Sequence, residues 1–181
     1  MGVEILAESG SSALSLREVA RRAGVSHAAP YRHFADHQAL LAAIAADGFT
    51  LLRGMIAQPA PAPSPRAALR AALHAYLDFA RRYPHHLDLM FSMDLSGTSA
   101  DLKRLAEGTF EHLADLVSQA AIHPDPKVYR PLALALWAQV HGLAQLARVL
   151  QLQVLSEGMD SVGAAETALD ALIDRLLEPN T

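Results

Sequence analysis

Residues 15–34 of the chain read SLREVARRAGVSHAAPYRHF and carry two helix-start signals on either side of a glycine. Ser15 and Glu18 form an S-x-x-E capping box, in which the hydroxyl and the carboxylate can satisfy free backbone N–H groups at the start of a helix. Gly24 can adopt the left-handed conformation that ends such a helix, and Ser26 is a second N-cap two residues later. The stretch therefore predicts two short helices joined by a tight turn, the second running to the end of the quoted sequence.

This layout is that of a helix-turn-helix, and the second helix has an edge suited to reading DNA. Its first turn carries small and hydrogen-bonding residues, which let a backbone lie deep in a major groove about 12 Å wide. Tyr31 and Arg32 can contact phosphates or base edges, and the N-terminus of the first helix, beside Arg17, can bind a phosphate. The candidate DNA contacts are Ser15, Arg17, Ser26, His27, Ala28, Tyr31 and Arg32. For each of them a structural or solvated role is the alternative.

The charge of this stretch favours an anionic partner, although the whole chain of 181 residues has a net charge of −4. Four arginines and one glutamate lie between Leu16 and Phe34, a balance of +3. From Gly54 onward fourteen acids outnumber ten basic residues, a balance of −4. We therefore expect one end of the chain to meet an anion while the rest keeps the protein soluble.

Helices are predicted on both sides of this stretch. A short one runs from Val3 to Ser9, and a longer one begins at an Asp36 cap and ends near Gln58. Alternate prolines in residues 58–65 forbid a helix and predict an extended linker, with an SH3-type ligand as the alternative. Beyond it, the 3.6-residue spacing of apolar side chains predicts five helices. They run from Arg66 to Tyr83, His85 to Met93, Ala100 to Ala121, Val128 to Ser156 and Ser161 to Leu177.

The predicted fold class is all-α, in three parts. Residues 1–57 form a helix-turn-helix domain whose first helix is short and could lack upstream residues; residues 58–65 form the linker, and residues 66–181 form a second helical domain. The helix predicted at 128–156 is apolar on nearly every side, so together with the helix at 161–177 it can form a two-fold dimer interface. Such a dimer places its reading helices about 34 Å apart, and we therefore expect an inverted-repeat DNA site.

Composition argues against several other classes of protein. The absence of cysteine excludes disulfides and a Cys nucleophile, and it suits a reducing cytoplasm. No signal peptide is visible after Met1. The closest approach to a membrane span is Pro131 to Ala147, but this run contains glutamine, histidine and glycine and predicts a buried helix. We therefore expect a cytoplasmic protein with no membrane contact.

Two rival functions follow from other features. Nine histidines, including the His85-His86 pair, suggest a helical enzyme or a metal site. Adjacent residues on a helix point about 100° apart, however, and the sequence has no H-E-x-x-H, G-x-S-x-G, Walker or G-x-G-x-x-G pattern. We therefore predict no catalytic residue, metal or cofactor. The second rival is a helical interaction module that no longer binds DNA, because residues 1–53 carry five basic and five acidic side chains.

The run from Leu14 to Phe34, followed by Leu40 to Ile44, closely resembles the DNA-binding domain of the TetR family of bacterial transcriptional regulators. This resemblance implies a helical homodimer with a helix-turn-helix at each N-terminus. It also implies a divergent ligand-binding and dimerisation domain in the rest of the chain. The function implied is usually repression of an operator, relieved by a small-molecule effector.

The resemblance also assigns roles to single positions, and two positions depart from it. Ser15 and Arg17 would hold phosphates, His27, Ala28 and Tyr31 would face the groove, and His33 would support the helix end near the DNA backbone. Family members usually carry a lysine where His37 stands, and a mostly neutral imidazole contacts phosphate less strongly. Pro30 lies early in the second helix, where it removes one hydrogen bond but need not break the helix.

Residues 136–143, LWAQVHGL, resemble the Trp-His-Gly signature of one C-terminal subclass of the family. Trp137 and His141 lie one turn apart on the same helical face, where they could line a pocket or pack a core. Aromatic and methionine residues at helical positions suggest a pocket for the effector, with ordinary core packing as the alternative. The candidate lining residues are Tyr76, Phe79, Met90, Phe91, Phe110, Trp137 and His141.

Overall fold

The computed structural model of the chain describes residues 1–57, 62–95, 97, 99–120, 125–149, 154, 155 and 158–177. Within these ranges the regular elements are helices, which confirms the predicted all-α fold class. In chain order the α-helices are α1 (Gly2–Ser9), α2 (Leu16–Ala23), α3 (His37–Ala57), α4 (Pro65–Arg82), α5 (Pro84–Ser92), α6 (Ala100–Ala120), α7 (Pro126–Arg148) and α8 (Ser161–Leu177). Two 3₁₀ turns lie at Ser11–Ala13 and Pro30–Arg32.

The ends of the N-terminal helices follow the signals in the sequence. Ser15 caps α2, since its Oγ accepts a hydrogen bond from the backbone N–H of Glu18 at 3.1 Å. Gly24 ends α2 in the left-handed conformation, with φ at 65°, and the next N–H donates to the carbonyl of Ala20 at 3.1 Å. Asp36 precedes α3, and its Oδ1 accepts from a backbone N–H of the first turn at 2.8 Å. The side-chain caps predicted at Ser15 and Asp36 are confirmed, whereas the carboxylate of Glu18, predicted to complete a capping box, accepts from the guanidinium groups of Arg21 and Arg22.

The second helix of the helix-turn-helix, predicted from Ser26 onward, is wrong as an α-helix: the segment contains only the 3₁₀ turn Pro30–Arg32. Proline has no N–H, so the bond that Pro30 would donate to the carbonyl of Ser26 in an α-helix cannot form. The N–H of Ala29 donates to that carbonyl instead, at 2.9 Å, and the N–H of His33 donates to the carbonyl of Pro30 at 3.0 Å. The segment is therefore a succession of tight turns, held by a buried proline ring.

The chain divides into two compact units, of which the first contains Met1–Leu51 and Tyr83–Glu107. In this unit α1 packs against α5. Gly48 allows α3 and α5 to approach closely, because a Cβ at this position would lie 2.6 Å from Sδ of Met90. The buried apolar side chains of the unit include Ile5, Leu6, Leu40, Ile44, Phe49, Leu87 and Met90.

The second unit contains the described residues of Leu52–Arg82 and Gly108–Thr181. Here α7 packs against α8, and α4 packs against both. A polar tie joins α4 to α8: Arg70 donates to Asp170 and Asp174, and Nε2 of His74 lies 2.8 Å from Oδ1 of Asp170. The buried apolar side chains between these helices include Leu69, Leu73, Leu136, Val140, Leu169 and Ile173.

The C-terminal helices begin and end close to their predicted positions, except α7. It begins two residues early, at Pro126, because Oδ1 of Asp125 accepts from the N–H of Lys127 at 2.9 Å and proline suits the first turn of a helix. It ends at Arg148, so one continuous helix to Ser156 is wrong.

Parts of three predictions lie outside the described residues. They are residues 150–153 and 156 of the helix predicted at 128–156, residues 58–61 of the predicted linker, and Ala121 at the end of the third predicted C-terminal helix. Of the linker, residues 62–64 are not helical, and Pro65 is the first residue of α4.

Among the described residues, α3 is the one helix long and apolar enough, by length and composition alone, to cross a membrane. A core helix of a globular protein has the same properties, and the buried Leu40, Ile44 and Phe49 of α3 belong to the core of the first unit. The run from Pro131 to Ala147, which the sequence suggests as the nearest approach to a span, lies within α7.

Candidate nucleic-acid interface

An open concavity of about 370 Å³ lies where α2 and α3 begin. Its lining consists of Leu14, Ser15, Leu16, Arg17, Tyr31, Ala35, Asp36 and His37. Four of the predicted DNA contacts, at positions 15, 17, 31 and 37, therefore come together from three segments of the sequence. The concavity is the strongest candidate in the first unit for a site that binds a polyanion.

Two helix N-termini contribute to this concavity. Ser15 precedes α2 and Asp36 precedes α3, and each side chain occupies one N–H of the first turn. The other first-turn N–H groups have no partner within a helix, and they carry the positive end of the helix dipole. Such a terminus binds phosphate oxygens, although here the carboxylate of Asp36 places one negative charge in the lining.

Two of the four helix-turn-helix arginines are paired within the protein. Arg21 donates from Nε and Nη2 to the carboxylate of Glu18 at 2.8 and 2.7 Å. Arg22 donates to Glu18 at 3.0 Å and to Glu8 at 2.5 Å. The hydrogen bonds from Arg21, and next those from Arg22, lower the pKa of Glu18 to about 2, so its carboxylate stays charged and keeps both cations.

Arg17 and Arg32 are the cations that remain for a partner. Both are exposed, and neither forms an ion pair in the part of the chain that the structure describes. Arg17 lines the concavity, while Arg32 lies on the 3₁₀ turn. The positive charge open to a partner is therefore smaller than the count of arginines in the sequence predicts.

The other five predicted contacts are exposed but do not line the concavity. They are Ser26, His27, Ala28, Arg32 and His33. Tyr31, for which the sequence left core and contact both open, is 55% exposed. Because this segment is not a continuous helix, its side chains do not follow the 3.6-residue spacing of a reading helix. Their role in the groove stays a prediction.

Sequence reasoning missed four residues of the lining: Leu14, Leu16, Ala35 and Asp36. Leu14 and Leu16 are buried, so they shape the concavity rather than offer hydrogen bonds. The sequence predicts Asp36 only as a cap, yet its position beside His37 was a signal that both belong to one site.

The second unit contains a small cavity of about 20 Å³. Its lining consists of Ile56, Ala72, Leu73, Tyr76, Thr109, Leu113, Leu116, Trp137 and Val140. Two other residues of the predicted effector pocket adjoin this lining: the Phe110 ring lies 5.5 Å from that of Trp137, and Nδ1 of His141 lies 2.9 Å from Oη of Tyr76. Four of the seven predicted pocket residues thus assemble here.

The structure does not place the other three with them. Phe79 is fully buried but is not part of the lining. Met90 and Phe91 belong to the first unit, where Met90 packs at Gly48 and the Phe91 ring lies 6.2 Å from that of Phe49. Aromatic and methionine side chains at helical positions fill cores as readily as they line pockets, so composition alone could not separate the two roles.

Tyr76 lies between two residues of α7. Burial raises the pKa of Tyr76, and a hydrogen bond from Trp137 only partly offsets this, so the phenol keeps its proton. Its oxygen accepts from the indole N–H of Trp137, while the phenol and Nδ1 of His141 share a second hydrogen bond. Trp137 and His141, one turn apart on α7, therefore both form a hydrogen bond with Tyr76.

The His85-His86 pair has a structural setting. His86 is buried and packs edge-on against Tyr83, with ring centroids 5.9 Å apart. Burial lowers the pKa of His86, which favours the neutral imidazole. Over the ranges that the structure describes, no three His, Asp or Glu side chains are grouped so that they could hold a metal ion.

A short capped helix and a set of exposed turns carrying the free Arg17 and Arg32, followed in the same chain by a second helical unit, are typical of DNA-binding regulators. A family model described as bacterial regulatory proteins of the tetR family matches residues 2–44. A second model, described as the tetracyclin repressor-like C-terminal domain, matches residues 69–176. The chain belongs to the TetR family, and it is a DNA-binding transcriptional regulator.

Solved structures of similar fold extend over nearly the whole chain. A protein of unknown function from Rhodococcus sp. RHA1 is 30% identical with a TM-score of 0.82, and the match covers 98% of this chain and 92% of that one. A transcriptional regulator from the same organism is 27% identical with a TM-score of 0.72, over 98% and 92% of the two chains. The TetR family transcriptional regulator PfmR of Thermus thermophilus, at 19% identity and a TM-score of 0.68, shares the fold over 98% and 96%. No curated protein matches the sequence.

Proposed function

We propose that this regulator is a ligand-responsive repressor that binds an inverted-repeat operator as a homodimer. The observation that carries the proposal is the concavity at the start of α2 and α3, where the exposed Arg17 meets Tyr31 and two helix N-termini. A cation, a phenol and free N–H groups around one depression suit the phosphate oxygens of a DNA backbone. The neighbouring turns, which are exposed, then lie against the groove.

The roles proposed for single residues follow from this placement. Ser15, Arg17 and His37 contact phosphates at the concavity. The exposed turns supply Ser26, His27, Ala28, Tyr31 and Arg32 as groove contacts, and His33 contacts the backbone beside them. Arg17 and Arg32 contribute most of the charge, because an ion pair within the protein already occupies each of the other two arginines.

A homodimer through the helices at 128–156 and 161–177 is supported by apolar side chains on α7 and α8. Leu134 is 62% exposed and Val128 is 45% exposed on α7, while Val162 and Leu176 are each 40% exposed on α8. Monomeric proteins rarely expose large contiguous apolar patches, so a second copy is the simplest cover for this face. A two-fold dimer with grooves about 34 Å apart requires an inverted repeat in the DNA.

The effector acts, in this proposal, through the second helical domain. The two DNA-binding segments of the dimer lie at a certain spacing, and a ligand that binds one spacing better shifts the dimer toward it. The factor by which the ligand changes the DNA affinity then equals the factor by which DNA changes the ligand affinity. Couplings of this kind amount to about 1–3 kcal/mol. The proposed division remains a DNA-binding domain at 1–57, a linker at 58–65 and an effector and dimerisation domain at 66–181. Its place of action is the cytoplasm, where a bacterial genome lies.

The test of DNA binding starts with footprinting on the region upstream of the protein's own gene, followed by fluorescence anisotropy on the protected sequence. The Kd of the wild-type complex should rise with salt as a power law, with a slope of about 0.9 per phosphate contact. Arg17→Ala and Arg32→Ala should each weaken binding about tenfold and leave the Tm nearly unchanged. Arg104→Ala is the control, since Arg104 is exposed on α6 and pairs with Asp101.

A salt-independent affinity, or no binding to any genomic fragment, would instead favour an interaction module that has lost DNA. Equal losses of DNA affinity and thermal stability in Arg32→Ala would show that Arg32 is structural.

The dimer is tested by analytical ultracentrifugation at micromolar concentration. Leu134→Lys should shift the wild-type dimer to monomer, because it places a charge in the proposed apolar interface. Val3→Lys is the matched control, since Val3 is a partly exposed apolar residue on α1. A wild-type protein that sediments as a monodisperse monomer would overturn the homodimer and, with it, the inverted repeat.

A further inference from the structure

The cavity of the second unit cannot hold an effector without movement of a wall. Its volume of about 20 Å³ fits about one water molecule, whereas pockets for small-molecule ligands have roughly 300–1,000 Å³. Seven of the nine lining residues are buried, and only Trp137 and Leu116 are partly exposed. The indole of Trp137 is the larger of the two, so its displacement opens the most space.

Trp137 is held from the inside and from the outside. On the inside, Tyr76 accepts its indole N–H, and the two rings meet edge-on with centroids 6.5 Å apart. On the outside, the Phe110 ring tilts by 35° against the indole at 5.5 Å. Cζ of Arg130 lies 5.6 Å from the centroid of that Phe110 ring, within the range of a cation–π contact.

The outer support ends in a salt bridge between α6 and α7. Nη1 and Nη2 of Arg130 donate to the two carboxylate oxygens of Glu111 at 2.6 and 2.7 Å. The hydrogen bonds from Arg130 lower the pKa of Glu111, so the pair stays charged at neutral pH. Glu111 therefore fixes Arg130, Arg130 covers Phe110, and Phe110 backs the indole that closes the cavity.

The lining also restricts the chemistry of a ligand. None of the described residues that form it is charged, and the phenol of Tyr76 is already hydrogen-bonded to Trp137 and His141. An ionised ligand would lose its hydration and gain no partner, which is costly in an apolar site. Aromatic rings on two sides of the opening favour a planar ring that can stack or meet them edge-on.

We propose that Trp137 is the movable wall of this cavity, that Arg130 and Glu111 form its latch, and that the effector is a small uncharged aromatic molecule. The effector role rests on the proposed ligand-responsive function. The existence of the opening cavity and its preference for uncharged aromatic ligands do not depend on DNA binding.

The sole tryptophan of the chain provides the readout. The full-length protein is titrated with toluene, and with benzoate as an anionic aromatic of similar size, while Trp137 emission and Tm are recorded. Toluene should shift the emission saturably and raise the Tm, and benzoate at the same concentrations should do neither. The absence of a saturable toluene signal, or an equal response to benzoate, would overturn the proposal.

The latch is tested with Glu111→Gln, which weakens the hold on Arg130 without adding bulk. Because a surface salt bridge contributes up to about 1 kcal/mol, the Kd for toluene should fall about two- to fivefold. Glu107→Gln is the control, since Glu107 is exposed on the same helix and pairs with Lys103, at 3.9 Å. Equal toluene Kd values for the two variants would overturn the latch.

DNA affinity measured in parallel separates the two proposals. Toluene binding that leaves the operator Kd unchanged would refute the effector role while the cavity and its ligand class stand. Operator binding without any toluene signal would refute the cavity and leave the DNA-binding function standing.

Discussion

Arg21 and Glu18 form a two-point pair on α2, with Nε of the guanidinium 2.8 Å from one carboxylate oxygen and Nη2 2.7 Å from the other. Glu18 is the residue whose backbone N–H also bonds to Ser15 at the helix cap. One glutamate therefore helps to start the helix and reduces the positive charge that the helix presents. We therefore expect the DNA affinity of this protein to depend on Glu18 as well as on the arginines of the same segment.

Replacement of this acid should strengthen DNA binding. In Glu18→Gln, Arg21 and Arg22 lose their anionic partner on α2, so more positive charge is available to phosphates. We expect a lower Kd for DNA and a salt slope steeper by about 0.9 for each new phosphate contact, measured by anisotropy over a salt series. Glu4→Gln makes the same change of charge at an exposed site on α1. If both variants show the same slope, the ion pairs of Glu18 do not limit DNA binding.

A lysine at position 37 should also tighten the complex. His37 lines the concavity at the start of α3, and a lysine there would place an ammonium group, a compact positive charge that binds phosphate, in the same lining. His37→Lys should steepen the salt slope by up to about 0.9. It should lower the stability of the free protein by about 0.3–1 kcal/mol, because a cation at a helix N-terminus opposes the dipole. His112→Lys, on α6, is the control; an equal effect on DNA affinity would exclude a specific contact at position 37.

Alanine substitutions at two glycines of α3 should change the stability of the protein in opposite directions. A Cβ at Gly48 would lie 2.6 Å from Sδ and 3.0 Å from Cγ of the buried Met90, so Gly48→Ala should lower the free energy of unfolding by about 1–2 kcal/mol. A Cβ at Gly54 would meet nothing within 4 Å. Gly54→Ala should raise that energy by about 0.5–1 kcal/mol, since alanine favours the helix. Denaturant unfolding measures both, and a stabilised Gly48→Ala would contradict the close packing of α3 on α5.

The hydrogen bonds of Asp170 between α4 and α8 should make the free energy of unfolding depend on pH in the acidic range. Burial opposes the ionisation of Asp170, but hydrogen bonds from His74 and Arg70 outweigh it, and its pKa lies below the ordinary value. Ionised Asp170 therefore stabilises the fold above its unfolded-state pKa of about 3.9, and this contribution is lost as the pH falls through the lower folded-state value.

Asp170→Asn should accordingly lower the free energy of unfolding by about 0.5–1 kcal/mol at neutral pH, because the pair is partly exposed. The difference from wild type should shrink as the pH falls below about 4. Asp101→Asn, which breaks an exposed pair within α6, should show little effect at either pH. A constant difference across the pH range would show that the carboxylate charge is not what stabilises the tie.

The elements that the sequence predicts well are those with local causes. The caps at Ser15 and Asp36 and the left-handed stop at Gly24 depend on residues within one turn of each other, and all three are present. Pro30 was visible too, but the sequence does not show that its ring is buried and that the surrounding turns tighten around it. One missing N–H changed the predicted helix into turns.

Long-range pairing explains the remaining differences. The count of arginines could not reveal that Arg22 reaches Glu8, fourteen positions earlier in the chain, and so loses its availability to DNA. The predicted pocket joined residues that tertiary structure separates, since Met90 packs in the first unit and Tyr76 in the second. The spacing of Trp137 and His141 was informative because both lie on one helix, yet their common partner Tyr76 lies on another.

The buried ring of Pro30 has a consequence for engineering. Side chains on a regular helix can be moved between related proteins, because the helix carries its own geometry with it. In this regulator the turns at 26–33 contain the buried Pro30, and the turn Pro30–Arg32 packs against α2. Exchange of the exposed residues alone would move these side chains without the backbone that orients them. A chimera designed to change operator preference therefore has to include Pro30 and the residues that pack against its turn.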